Sequence, residues 1–193
     1  MRSTEQVRKI AKSAHDEWGY KYHILPVVKN AIFLAKKLGA DLEVVEVAAY
    51  LHDIGVSKKI AGPDFSAKEN DHHIVGAKEA KKLLKELKYS DDFIEKVANC
   101  ILSHRGRKGQ SPVTLEEKII ANADAMAHFD TFLDLFTFFT EKTTNSFEEA
   151  VEAIYQKMKR DWEIKLTLLE AKEMIKPKYE AVMLILESMK SYF

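Results

Sequence analysis

The chain carries seven histidines, and one of them, His52, is followed directly by Asp53 at the end of the apolar run Ala48-Ala49-Tyr50-Leu51. An imidazole nitrogen beside a carboxylate oxygen makes a donor pair suited to a divalent cation. Neighbouring side chains on a regular helix point about 100° apart, so both reach one centre only where the helix gives out. Gly55 allows such an ending, because glycine tolerates the left-handed conformations that terminate a helix. Read alone, the dipeptide is far more often a hydrogen-bonded pair orienting a turn. Its company changes that: His23, His72 or His73, His104 and Asp124 are further candidate ligands, each expected at or near a helix end or loop junction where separate helices can converge. Imidazole and carboxylate together favour Mn, Fe, Co, Ni or Zn, and the lack of thiolates argues against a structural cysteine zinc site.

The elements that must deliver these residues read as helices. Seven glycines and four prolines punctuate the chain, and the segments between them repeat apolar residues at helical spacing, so the fold class is all-α. Ser3 or Thr4 caps a first helix ending near His15 to Gly19, and Tyr20 to His23 form a connector. Pro26 opens a second helix that Gly39 closes. Asp41 caps a third, whose far end presents His52 and Asp53. The loop from Val56 to Asn70 is long for a compact domain and suggests function. Asp71 caps the helix that starts with His72 and His73, and Ser90 opens the one that ends at His104. A second polar loop, Arg105 to Pro112, leads into the capping box Thr114 to Glu117 and a helix running through Asp124 on to Phe139. Its aromatics, Phe129, Phe132, Phe136 and Phe139, are expected to pack in the core or at a subunit interface rather than around a cofactor. Ser146 begins another capping box. The stretch from Trp162 to Phe193 reads as two helices broken near Pro177, without a catalytic cluster: a helical cap, or an oligomerisation element forming a homodimer.

Composition narrows the partners. At 193 residues the chain suits one domain, or one domain with a helical extension, and 30 basic residues balance 30 acidic ones. Nothing in that balance steers it to nucleic acid or an anionic membrane. The first residues lack an apolar signal core, and no run approaches the ~20 apolar residues of a bilayer span. A soluble, cytoplasmic protein is expected. Cys100, the single cysteine, sits among Val97, Ala98 and Ile101 and reads as a buried thiol. His15 reads as a surface residue.

The order His, then His-Asp, then a distant Asp resembles the HD-domain superfamily of metal-dependent phosphohydrolases. Tyr22-His23, Leu51-His52-Asp53-Ile54-Gly55 and Ala123-Asp124-Ala125 carry the resemblance, over roughly Trp18 to Asp130. It implies a metal held by His23, His52, Asp53 and Asp124 in an all-helical fold, with a helical core over residues 1–140 and a C-terminal helical cap over 141–193 packed on that core as one structural domain. His72 and His104 match the positions that hold a second metal in some members, and the step from His72 to Gly76-Ala77 favours His72 over His73. Where many relatives have further acidic residues after the last aspartate, this chain has Ala127 and His128. His128, one helical turn beyond Asp124, is read first as a polar residue facing a cleft, with support of the ligands or contact with substrate as the alternatives. One or two transition-metal ions, or Mg, would lower the pKa of bound water from about 15.7 toward 7 and draw charge off a phosphoryl oxygen. Phosphoester hydrolysis of a nucleotide or similar small phosphorylated molecule is the reaction implied. Asp53 is the natural bridge between two metals, and Lys58 and Arg105 are the expected phosphate contacts. A di-iron oxygenase and a non-catalytic metal- or nucleotide-binding module are the alternatives.

Overall fold

The computed structural model describes residues 4–57, 71–106, 110–142 and 146–193, and every regular element among them is helical. The order is α1 (Thr4–Ala14), α2 (Glu17–Gly19), a π turn (Tyr20–Ile24), α3 (Leu25–Leu38), α4 (Leu42–Leu51) and a 3-10 turn (Ile54–Val56). Then come α5 (His72–Glu86), α6 (Asp91–Ser103), α7 (Leu115–Asp130), α8 (Phe132–Lys142), α9 (Phe147–Arg160), a second π turn (Asp161–Lys165) and α10 (Leu169–Lys190).

Most helix starts follow side chains that can accept from the free N–H groups of a first turn. Asp41 accepts from the Glu43 and Val44 amides at 3.1 and 3.2 Å, Thr114 from Glu117 at 3.3 Å and Ser146 from Glu149 at 3.1 Å. Asp71 precedes α5 as expected, but its side chain makes no capping bond. Gly39, at φ 74°, ends α3 in the left-handed region.

Helix α7 is the axis of the bundle. It packs against α3, α4, α6 and α10, and Ile119, Ile120, Ala123, Ala125, Met126 and Ala127 are fully enclosed. A helix surrounded on all sides must be apolar all round, and its alanines let neighbours approach closely. Asp124 is thus a carboxylate inside the core, midway along a helix and not at an end as expected from sequence.

Three other expectations change. Tyr20 to His23 are not a connector: they lie in a π turn that runs straight into α3. The helix through Asp124 stops at Asp130 and restarts at Phe132, so the aromatic stretch belongs to a separate element. Pro177 does not break the last helix, which is continuous from Leu169 to Lys190. No helix among the described residues is long and apolar enough to cross a membrane.

Candidate metal centre

Two of the histidines are held by the same local device. A helix leaves its last carbonyls without intrahelical partners, and at the end of α4 the His52 Nδ1 donates to Ala49 O at 2.9 Å. At the end of α6 the His104 Nδ1 donates to Ile101 O at 2.6 Å. A carbonyl can only accept, so Nδ1 carries the proton in both rings and Nε2 turns a lone pair inward. His23 arrives from the π turn, a wide turn often found at functional sites.

These side chains converge on Asp53. Its Oδ2 lies 3.1 Å from His23 Nε2 and 3.5 Å from His52 Nε2, while its Oδ1 lies 3.4 Å from His72 Nε2 and 3.5 Å from His104 Nε2. Asp124 Oδ1 stands 3.5 Å from His23 Nε2, and the two imidazole nitrogens of His23 and His52 are 3.1 Å apart. His23, His52 and Asp124 therefore form one group able to hold an ion, and Asp53, His72 and His104 another. Ligands about 2.1 Å from one cation lie roughly 3.0–3.5 Å from each other. Inward lone pairs at such spacing, buried and facing carboxylates, are a poor arrangement without positive charge between them, so the residues present fit a divalent metal pair.

Gly55 serves this site differently from the sequence reading. It has no positive φ; a Cβ there would fall 2.0 Å from His72 O and 2.7 Å from Gly76 N. The missing side chain lets the 3-10 turn lie against the first turn of α5, which brings His72 to Asp53. His73 points elsewhere: it is buried, with its Nε2 2.6 Å from Gln110 Oε1.

The electrostatics follow from burial and charge. Burial opposes ionisation of Asp53, but His52, His104, His23 and His72 outweigh it and hold the carboxyl well below the usual range. Burial likewise opposes Asp124, and Lys165, His128, His23 and His52 hold it low. Burial pushes the His52 imidazole down to about 4. For His23 burial is overcome by Asp53 and Asp124, and its pKa rises.

The C-terminal segment, expected to be free of site residues, reaches in. Lys165, a residue only 5% exposed, pairs through Nζ with Asp124 Oδ2 and leaves Oδ1 facing the histidines. Asp161, fully buried, accepts from His128 Nδ1 at 2.8 Å and from Lys157 Nζ at 3.2 Å. The His128 ring stacks on His23 at 5.4 Å, with Nε2 3.5 Å from Asp124 Oδ1. Lys157, Asp161 and Lys165 follow one another at intervals of four, a charged stripe whose residues 161 and 165 are enclosed; that spacing was the available signal. His15 is half-buried and lines a cleft rather than the outer surface. Cys100 is buried as expected, and burial raises its thiol pKa. Arg105 is half-buried, its carbonyl accepting from Arg160 Nη2 at 2.8 Å. Lys58, with Arg107 and Lys108, lies outside the described residues.

The HD domain family matches residues 20–128, which span all six of these metal-ligand candidates. The chain belongs to this family. A curated relative, the tRNA (cytidine(56)-2'-O)-methyltransferase of Picrophilus torridus, is 31% identical over 142 residues, 68% of this chain but 38% of that protein. Among solved structures, Bacillus subtilis YpgQ superposes with a TM-score of 0.72 at 18% identity, covering 98% of this chain and 94% of that one. YpgQ in complex with ADP gives 0.68 at 16% identity, with coverage of 99% and 98%. A predicted HD superfamily hydrolase from an uncultured Thermotogales bacterium gives 0.60 at 21%, covering 98% and 92%. At these identities the structures share the fold, C-terminal helices included.

Proposed function

We propose that this HD-domain protein is a metal-dependent phosphohydrolase acting on a nucleotide or related small phosphorylated molecule. The observation that carries the reading is Asp53, whose two oxygens face two separate histidine groups. His23, His52 and Asp124 would hold one ion and His72 and His104 a second, with Asp53 offering an oxygen to each group. Bound divalent metals would make a water nucleophilic near neutral pH and neutralise charge on a phosphoryl group under attack.

The chain's own residues supply the rest. His52 and His104, pinned by Ala49 and Ile101, keep their Nε2 atoms aimed inward without rearrangement. Lys165 occupies one oxygen of Asp124 and so fixes which oxygen is offered to the centre. Arg105, next to His104, and Lys58, five residues past Asp53, are proposed to receive the phosphate oxygens. A nucleotide as substrate is supported by the ADP held in the YpgQ complex, whose fold this chain shares.

The test is elemental analysis of the purified protein together with phosphate release from a nucleotide panel in Mn, Co, Ni and Mg. Activity dependent on added metal, abolished by Asp53→Asn with the circular dichroism spectrum intact, is expected. Metal-replete protein that releases phosphate from no member of the panel would sink the reading.

A further inference from the structure

Beside the His/Asp centre lies a cleft of about 590 Å³, within the roughly 300–1,000 Å³ typical of ligand sites. His23, Asp53 and His128 line it, so an occupant touches the centre. Another part of its wall is aromatic. Trp18 of α2 and Phe138 of α8 lie nearly parallel, with ring centroids 6.0 Å apart and planes 20° apart, and Tyr22 stands 6.0 Å from Trp18. Trp18 and Phe138 are 38% and 42% exposed. Large aromatic faces gathered at a cleft from distant parts of the chain and left partly uncovered are the informative kind of exposed apolar surface.

The charged groups there are selective as well. Besides the centre itself, Asp16 and Asp134 line the cleft, and no lysine or arginine does so among the described residues. Carboxylates repel a phosphate tail but accept from hydroxyl and amino groups. Aromatic faces stack on any planar base, whereas an acyl chain would make no use of the carboxylates. The geometry points to the nucleoside end of a nucleotide as the occupant: its base stacks on the Trp18 and Phe138 wall, and its donors face Asp16 or Asp134. The orientation, with phosphate toward Asp53, rests on the phosphohydrolase reading; occupancy by a nucleoside does not require turnover.

Of the two tryptophans in the chain, Trp162 can be replaced by phenylalanine so that Trp18 alone reports. Adenosine, guanosine, cytidine and uridine are titrated in EDTA, with ribose as control. Saturable quenching of Trp18 emission by at least one nucleoside and none by ribose is expected, weakened about tenfold by Phe138→Ala, in line with base stacking on an aromatic ring. No saturable quenching by any of the four overturns the proposal. In Mn, Trp18→Ala and Phe138→Ala should raise KM for nucleotides about tenfold while leaving kcat/KM unchanged on ribose 5-phosphate or tripolyphosphate, whichever the protein hydrolyses. An equal loss on every substrate overturns the proposal too. Nucleoside quenching without hydrolysis of any phosphoester leaves the occupant standing and removes the catalytic reading; hydrolysis with neither quenching nor a KM change does the reverse.

Discussion

Two residues apart, Asp53 and Gly55 solve one problem between them. Asp53 must meet His72, and the backbone of the turn must come within contact of α5 for that meeting; only a residue without Cβ permits it. Gly55→Ala should therefore force the turn off His72, at a cost typical of overpacking, about 1–3 kcal/mol. A lower Tm and weaker metal retention are expected, and an unchanged melt would show that the turn has room to spare. His52 contributes to the acid response of the metal-free protein. Its folded pKa, about 4, lies below its ordinary 6.5, so between these values the unfolded chain binds a proton that the folded one does not. Stability from this group is complete above pH 6.5 and lost as pH falls toward 4, on the order of 3 kcal/mol. His15, His73 and His128, also lowered by burial, add to the same slope, whereas His23, shifted upward, opposes it near the upper edge of that window. Urea midpoints in EDTA that stay flat between pH 6.5 and 5 would contradict this.

Among the elements, the second π turn supplies a partner that its own charge spacing hints at but does not name. It carries Asp161 and Lys165, and Lys165 meets Asp124 across 41 residues of sequence. Removing one partner of a buried ion pair leaves the other charge uncompensated, at about 3–5 kcal/mol. Lys165→Met should lose that much in EDTA and recover part of it in Mn, where a cation stands near Asp124 again; equal losses in both conditions would place the role of Lys165 away from the centre. The contrast with His23, His52, Asp53, His104 and Asp124 explains what sequence could reveal. Those residues stand in short sequence motifs, the helix ends at His52 and His104 are set by their neighbours, and the caps at Asp41, Ser90, Thr114 and Ser146 are decided within four residues. The π turn at His23, the enclosed place of Asp124 within α7 and the contact at Gly55 are decided by what packs opposite. The spacing of a single segment holds no record of that.

At the scale of the molecule, the C-terminal helices share the core. Leu166, Ala171, Ile175, Val182, Met183 and Leu186 are all buried, and α10 packs along α7. Asn122, fully buried in α7, accepts from the Thr167 and Leu168 amides at 2.9 and 3.0 Å, and Phe129 meets Tyr179 edge to face. A chain ending at residue 142 would uncover the apolar side of α7, leave Asn122 short of its donors and strip Asp124 of Lys165. Burial of a large apolar side chain contributes about 1.5–3 kcal/mol, and five such side chains together rival the 5–15 kcal/mol that holds a typical domain folded. We therefore expect residues 1–140 and 141–193 to unfold as one unit. Calorimetry of the whole chain should give a single transition whose calorimetric and van't Hoff enthalpies agree, and the shortened chain should show no cooperative melt. A truncated protein that melts cooperatively and still retains metal would instead establish residues 1–142 as a self-sufficient domain.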